Sequence, residues 1–200
     1  MALNEITKTD NQEIPNMDEI LDAMQGSKYF SVIDLKEGYF QIHVAEADKH
    51  KTAFTVNGIK YEWNRMPMGF KNAPLIFQRI MNFELNEYLY KGCAVYMDDV
   101  VIYGKTIEEH DSMLRNVLNK FKEKNFKINS EKLQVSKSQI KLLGMVIDGN
   151  TVAMPEETRQ KVFEFQIPKT KKELQRFLGT INGSSIFRDR KCKNPVPKYT

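Results

Sequence analysis

The segment Val95-Tyr96-Met97-Asp98-Asp99-Val100-Val101-Ile102-Tyr103 places two adjacent carboxylates between two apolar arms. Burial of both arms predicts a β-hairpin from Cys93 to Tyr103 with its turn near Asp98-Asp99. Asp-Asp is a poorer turn dipeptide than Asn-Gly or Asp-Gly, so a requirement other than turn geometry is indicated. Two carboxylates at a rigid tip repel each other unless a cation lies between them. The alternative is an ordinary exposed turn with two solvated acids.

A third acid, Asp34, ends another apolar run, Tyr29 to Ile33, which predicts a buried strand. If this strand and the hairpin are neighbours in one sheet, Asp34 converges with Asp98 and Asp99. Hard oxygen ligands without a His or Cys cluster favour Mg²⁺ over zinc. Two such ions suit in-line phosphoryl transfer. Taken alone, an aspartate at a strand end is more often a cap or a turn residue.

The rest of the chain alternates hairpins with helices, which predicts an α+β fold with an antiparallel sheet at its centre. Asn57-Gly58 between two apolar runs predicts a tight hairpin. Predicted helices are a short one capped by Asn16 and ended by Gly26, one of about twenty residues from Asn72 through Leu89, and two opened by the capping boxes 106–109 and 170–173. Further short strands are predicted at 126–129, 133–136, 139–147 and 151–154.

Composition restricts the class of protein. The chain has 200 residues, 41% hydrophobic and 28% charged, which is typical of a globular protein. No apolar run approaches the ~18 residues of a membrane span, no secretory signal is recognisable, and two cysteines cannot form a disulfide framework. Charge is uneven, because residues 1–118 carry net −6 and residues 119–200 carry net +10. The acidic part suits cations and the basic part suits a polyanion, with a solvated lysine surface as the alternative.

The motif Tyr96-Met97-Asp98-Asp99 resembles the Tyr-x-Asp-Asp motif of reverse transcriptases, and the stretch from Phe30 to Ile42 resembles the first-aspartate motif of gypsy-type LTR retrotransposon polymerases. Further motifs follow in the family's order at 51–54, 66–74, 77–81, 142–144 and 171–179. The likeness covers roughly Leu3 to Asn182. It implies a polymerase palm with an antiparallel sheet and packed helices, plus a small basic thumb subdomain. The implied division is 1–150 as palm with partial fingers, 151–187 as partial thumb and 188–200 as a tail.

The resemblance implies RNA-directed DNA polymerase activity, in which two Mg²⁺ ions (or Mn²⁺) support transfer of a nucleotide from a dNTP to a primer 3′-hydroxyl. Asp34, Asp98 and Asp99 match the catalytic, metal-binding acids, together with the Leu35 carbonyl. The implied nucleotide-binding residues are Tyr39, Phe40, Met68 and Gly69, with Tyr39 matching the aromatic that selects the sugar. The implied primer- and template-binding residues are Tyr96, Met97, Gly144, Met145, Gln175 and Gly179. The alternative for Tyr39 is a core aromatic, and for Gly179 a helix defect.

The implied partners are an RNA or DNA primer–template and dNTPs, with RNase H and integrase domains of a parent polyprotein as candidates. The implied location is intracellular, in a cytoplasmic particle or the nucleus, with no membrane. Two departures favour an alternative, a truncated and inactive nucleic-acid-binding remnant. The chain begins beyond the family's first fingertip strands, and Gly183-Ser184-Ser185 replaces the family's usual Tyr-Tyr-Arg. A third hypothesis is a plain interaction domain whose acids are turn residues.

Overall fold

The computed structural model describes residues 2–11, 15–142, 144–164, 167–168 and 170–182. In chain order its α-helices and strands are α1 (Ala2–Ile6), α2 (Met17–Ala23), β1 (Tyr29–Asp34), β2 (Phe54–Val56), β3 (Ile59–Tyr61), α3 (Ala73–Glu84), β4 (Cys93–Tyr96), β5 (Asp99–Gly104), α4 (Ile107–Glu123), β6 (Gln134–Lys137), β7 (Ile140–Leu142), β8 (Met145–Ile147), β9 (Val152–Ala153), α5 (Glu156–Phe163) and α6 (Lys171–Asn182). Two 3₁₀ helices, Gly38–Gln41 and Glu46–Thr52, lie between β1 and β2. This is an α+β fold, as predicted. None of the helices that the structure describes is long and apolar enough to cross a bilayer.

The centre of the molecule is a four-stranded antiparallel sheet in the order β4-β5-β1-β6. Strands β1 and β5 are apolar along nearly their whole length because both faces of the sheet are covered. Side chains alternate between the faces along each strand. Phe30 and Val32 pack with helix α2 and the small sheet β7-β8-β9, whereas Ile33 packs with helices α3 and α4. The sheet therefore separates two apolar cores.

The register of β1 with β5 runs from Tyr29 opposite Gly104 to Asp34 opposite Asp99. At the Gly104 end, the backbone of helix α4 packs directly on the strand. A Cβ at Gly104 would lie 2.7 Å from the His110 backbone nitrogen, so no larger residue fits there. This close packing holds strand β5 in one position along β1.

The Asn57-Gly58 hairpin is confirmed as β2–β3, with positive φ at both turn residues. The caps at Asn16 and Thr106 are confirmed, and Thr170 and Glu173 exchange the bonds of a capping box. Three expectations are wrong in detail. The helix from Asn72 ends at Glu84, because the chain goes on in a separate turn in which the Tyr88 and Leu89 amides both donate to the Leu85 carbonyl. The strand expected over 139–147 is two strands, β7 and β8, and the segment 126–129 contributes a single bridge from Ile128 to Leu35.

The division of the chain into palm, thumb and tail remains a prediction. Strand β9, just beyond residue 150, pairs with β8, and its Val152 is buried in the core beside α2. Beyond it, helix α6 packs on helix α5. The end of the expected thumb, 183–187, and the expected tail, 188–200, lie outside the described residues.

Candidate active site

Two of the three acids face each other across neighbouring strands. Asp34 ends strand β1 and Asp99 begins strand β5, and the two are register partners. Both occupy the side of the strand that carries Phe30 and Val32 on β1 and Val101 and Tyr103 on β5, so their side chains lie on one face of the sheet. Like charges placed directly opposite in a sheet destabilise it. The arrangement therefore calls for a compensating positive charge.

The turn that joins β4 to β5 consists of Met97 and Asp98, because Tyr96 pairs with Asp99. The expected turn at Asp98-Asp99 is therefore one residue too late, and the shift has a consequence: Asp99 is a strand residue, while Asp98 stands at the tip. Met97 adopts φ +51°, a left-handed conformation that is costly for a residue with a side chain. The tip is held in this conformation from outside the hairpin, since the Met97 amide donates to Gln78 Oε1 at 2.6 Å.

The electrostatics of the acids show that they sense one another. Burial raises the pKa of Asp98, and the charge of Asp34 raises it further. Burial likewise raises the pKa of Asp99, with added contributions from Asp34 and Asp98. The Oδ1 atom of Asp98 is buried and has no hydrogen-bond partner among the described residues. A buried carboxylate oxygen without a donor is costly to the fold, and a hard cation would satisfy it.

Lys132 supplies the cation that the structure does place here. Its Nζ lies 3.1 Å from Asp34 Oδ2, and its charge lowers the pKa of both Asp98 and Asp99. Across the described ranges, no group of three or more His, Cys, Asp or Glu side chains is arranged to hold a metal ion. The three carboxyl groups are therefore neighbours without forming a complete coordination site, and Asp34 forms an ion pair with Lys132.

Replacing Lys132 with Met is expected to raise the pKa of Asp98 and Asp99 further. A group whose pKa is raised on folding stabilises the fold below its unfolded pKa, and this contribution is lost as pH rises through its folded pKa. The free energy of unfolding of the variant should therefore fall below that of the parent chain by more near neutral pH than at pH 4. Because the Lys132 side chain is 67% exposed, the difference should be at most ~1 kcal/mol. Urea unfolding at both pH values in a chelating buffer measures it.

Lys137→Met, at the end of the edge strand β6, is the matched control for Lys132→Met because it removes the same charge a few residues further along the chain. A loss of stability in Lys132→Met that is the same at pH 4 and pH 7 would contradict the assigned electrostatic role.

Tyr39 lies beside the acids. Its ring packs edge-on against Phe77, with the ring centroids 5.6 Å apart. Burial raises the pKa of the Tyr39 hydroxyl, and the Asp98 carboxylate, its hydrogen-bonding neighbour, raises it further. Phe40 points elsewhere and stacks on Trp63, at 5.7 Å between centroids, in the row of rings that leads to the β2–β3 hairpin. The structure thus brings Tyr39, but not the Phe40 ring, to the acids.

The loop that carries Met68 and Gly69 is fastened by the start of the chain. Asn4 Nδ2 donates to the Gly69 carbonyl at 2.7 Å, and Asn4 Oδ1 accepts from the Lys71 amide at 2.8 Å. The Met68 side chain is 55% exposed. Helix α1, which carries Asn4, was not predicted, because its five residues are too few to show a periodic apolar face.

Of the remaining predicted site residues, some lie in or beside the core under the acids and the others lie on helix α6. Leu35 is buried beside Asp34, and Tyr96 packs partly on the core beneath the acids. Met145 is 1% exposed in that same core, so it offers only its backbone to a ligand, and Gly144 precedes it in the exposed turn before β8. Gln175 and Gly179 lie on helix α6, which packs on α5, and the described contacts do not bring them to the acids.

Sequence reasoning missed a buried polar network that anchors strand β6. Ser31 Oγ and His110 Nε2 are 2.8 Å apart, His110 Nδ1 is 2.9 Å from Asp111 Oδ1, and Ser31 Oγ accepts from the Ser136 amide. The order Ser-His-Asp resembles a nucleophilic triad, but Ser31 and His110 are fully buried. The network is therefore structural. The signal that could have found it is the spacing of helix α4, since His110 lies one turn before Met113 and Leu114 and continues their buried face.

Comparison with known proteins places the chain among polymerases of mobile elements and viruses. The family described as reverse transcriptase (RNA-dependent DNA polymerase) matches residues 1–147. The Pol polyproteins of the Drosophila melanogaster transposons opus and gypsy are 38% and 35% identical over 178 and 185 residues, which are 88% and 92% of this chain. The chain spans only 18% of the length of either polyprotein. A solved foamy viral protease-reverse transcriptase bound to an RNA/DNA hybrid is 28% identical with TM-score 0.79, over 90% of this chain and 24% of that one.

Proposed function

This chain belongs to the reverse transcriptase family, and from that premise we propose that it is the catalytic part of an RNA-directed DNA polymerase encoded by a retrotransposon. Its reaction is transfer of a nucleotide from a dNTP to the 3′-hydroxyl of a primer on an RNA or DNA template. The observation that carries the proposal is the placement of Asp34 opposite Asp99, with Asp98 at the adjoining turn. Residues 1–150 then form the palm with partial fingers, and 151–187 part of the thumb.

The donor set fits a hard divalent ion. The three groups are carboxylates, and their mutual repulsion is offset in part by Lys132 and by the hydrogen bond between Tyr39 and Asp98. The buried Asp98 Oδ1 lacks a partner among the described residues. Asp34, Asp98 and Asp99, with the Leu35 carbonyl, would hold two Mg²⁺ ions, for which Mn²⁺ can substitute. Bound in this way, magnesium supplies charge stabilisation to the transferring phosphoryl group and activates the primer hydroxyl.

The incoming nucleotide is expected against Tyr39 and the loop of Met68 and Gly69. Tyr39 is positioned by Phe77 and borders Asp98, so a sugar placed next to its ring would bring the triphosphate toward the acids. A 2′-hydroxyl would collide with the ring, which favours deoxynucleotides. Phe40 acts from behind this site by stacking on Trp63, which holds the short segment after Tyr39 in place.

The primer–template is expected on the face of the sheet that carries the acids. Tyr96 and Met145 pack with the core on that side of the sheet, and the backbone at Gly144 and Met145 and the Met97 turn would support the primer end. Gln175 and Gly179 on α6 would follow the duplex in the thumb. The positive charge of residues 119–200 suits the phosphate backbone, and this supports sequence-independent binding.

Tyr39→Val is expected to increase the incorporation of ribonucleotides relative to deoxynucleotides by about tenfold, because the ring that excludes the 2′-hydroxyl is removed. One lost steric clash of this kind is worth roughly 1–3 kcal/mol. Single-nucleotide extension with matched rNTP and dNTP measures the ratio. Tyr61→Val, on the exposed face of the β2–β3 hairpin, should leave the ratio unchanged. An unchanged ratio in Tyr39→Val would remove the residue from sugar selection.

Mg²⁺ is expected to stabilise the folded chain against heat. Ligand binding to the folded state alone adds about 2.7 kcal/mol at a concentration one hundred times the Kd, which shifts the midpoint by several degrees in a chain of this size. Thermal unfolding with increasing MgCl₂ measures the shift, which Asp34→Asn should abolish. A plain interaction domain, whose acids are only turn residues, would show equal midpoints with and without the ion.

Primer extension tests the proposed function itself. The chain is incubated with a DNA primer annealed to RNA, with dNTPs and Mg²⁺, while binding of the same duplex is followed by fluorescence anisotropy at two salt concentrations. Metal-dependent extension supports the polymerase. Salt-sensitive binding without any extension would overturn it in favour of the inactive nucleic-acid-binding remnant.

A further inference from the structure

Gln78 is a buried polar residue on an otherwise apolar helix face. It lies in helix α3 between Phe77 and Met81, and it is 1% exposed. Its amide is hydrogen-bonded on both sides. The Oε1 atom accepts from the Met97 amide at 2.6 Å, while Nε2 donates to the Val95 carbonyl at 3.1 Å and to Asn82 Oδ1 at 2.9 Å. These three partners also settle the orientation of the amide.

Two of these bonds reach the end of strand β4 on either side of Tyr96. They enter from the face of the sheet that packs on helices α3 and α4, opposite to the face that carries Asp99. Met97 adopts φ +51° while its amide donates to Gln78. The next residue, Asp98, keeps a buried oxygen without a partner among the described residues. Gln78 thus fixes the backbone of the turn and leaves the carboxylate at its tip available.

We propose that Gln78 is a positioning residue, which holds the Met97–Asp98 turn so that the carboxylates of Asp98 and Asp99 face the same divalent ion. The inference rests on the proposed polymerase function. It means that the affinity for the divalent ion depends on Gln78 in helix α3 as well as on the three aspartates. Gln78 itself touches neither nucleotide nor metal in this role.

The test compares three variants of the whole chain in two measurements that do not depend on polymerase activity. Gln78→Met keeps the length of the side chain and removes all three bonds, Gln78→Glu keeps an acceptor for the Met97 amide, and Asn82→Ala removes only the bond that does not reach the turn. Hydrogen exchange of the Met97 amide, measured by NMR in the metal-free protein, reports whether the bond from this amide to Gln78 is intact; we call this bond the clamp. Mn²⁺ titration, followed by calorimetry, reports the affinity for the ion.

Gln78→Met is expected to increase exchange at Met97 about tenfold and to weaken Mn²⁺ binding by about tenfold, the effect of losing one well-formed hydrogen bond. Asn82→Ala should match the parent chain in both measurements. Gln78→Glu, which keeps the acceptor, should retain slow exchange at Met97 and so covers the case in which Gln78→Met does not fold.

Unchanged exchange at Met97 in a folded Gln78→Met would overturn the clamp. Faster exchange with unchanged Mn²⁺ affinity would overturn the link from the clamp to the ion. Either result leaves the proposed function intact if the parent chain binds Mn²⁺ and extends primers. Conversely, a parent chain that binds no Mn²⁺ would refute the metal site itself, and with it the proposed role of Gln78. The exchange data would still show whether the bond to Met97 is present.

Discussion

Asp98→Asn is expected to reduce nucleotide incorporation by about three orders of magnitude, equivalent to roughly 4 kcal/mol in the barrier. The amide keeps the shape of the side chain but lacks the negative charge that holds a divalent ion. The fold should survive, and the metal-free variant should be at least as stable as the parent at neutral pH. The reason is that the pKa of Asp98 is raised in the fold, so its ionised form opposes folding there.

Incorporation rates at saturating Mg²⁺ and thermal midpoints in a chelating buffer measure the two effects together. Glu123→Gln removes an exposed charge at the far end of helix α4 and serves as the control. An Asp98→Asn chain that incorporates nucleotides at the parental rate would exclude this residue from catalysis. A variant that is inactive because it is unfolded would be identified by its midpoint, and Asp99→Asn then repeats the comparison.

Gly149→Ala is expected to destabilise the fold by about 3 kcal/mol or more. Gly149 lies in the turn between β8 and β9 at φ +78°, and its carbonyl accepts from the Gly26 amide at 2.8 Å. An added Cβ would collide with the Ser27 carbonyl oxygen and would approach the Phe30 ring to 3.0 Å. The left-handed backbone costs roughly 1–2 kcal/mol for a residue with a Cβ, and overpacking adds about 1–3 kcal/mol.

Gly58→Ala is a matched control, because Gly58 has almost the same φ, +77°, with open space where the Cβ would be. It should cost only the conformational part, about 1–2 kcal/mol. Urea unfolding of both variants separates the two contributions. Equal losses would mean that Ser27 and Phe30 can move aside to make room for the added Cβ.

Local chemistry made much of the fold predictable. Strand β1, the Asn57-Gly58 hairpin and the capping boxes each depend on residues within a few positions of one another, and the structure has all of them. The sequence predicted that the strand ending at Asp34 could lie beside the hairpin that carries Asp98 and Asp99, and the register of β1 with β5 places Asp34 opposite Asp99. The roles assigned to Tyr39 and the other ligand-binding residues came from resemblance and remain predictions.

The features that escaped prediction depend on contacts between residues far apart in the chain. Lys132 reaches Asp34 from the segment before β6, and Asn4 fastens the loop at Gly69. No periodic pattern marks such pairs. The turn was predicted one residue too late because a left-handed methionine is unfavourable locally. In the structure the Met97 amide donates to Gln78, a residue of helix α3 that is distant in the chain.

The tight packing of Gly104 has an effect at the opposite end of the same two strands. Because side chains alternate between the faces, sliding β5 along β1 by one residue would carry the Asp99 carboxylate to the far side of the sheet. Such a slip would also press a larger residue onto the backbone of helix α4, where only glycine fits. The docking of one helix thus excludes misregistered chains, and a molecule that has completed its central sheet has already paired its acids correctly, without a separate maturation step.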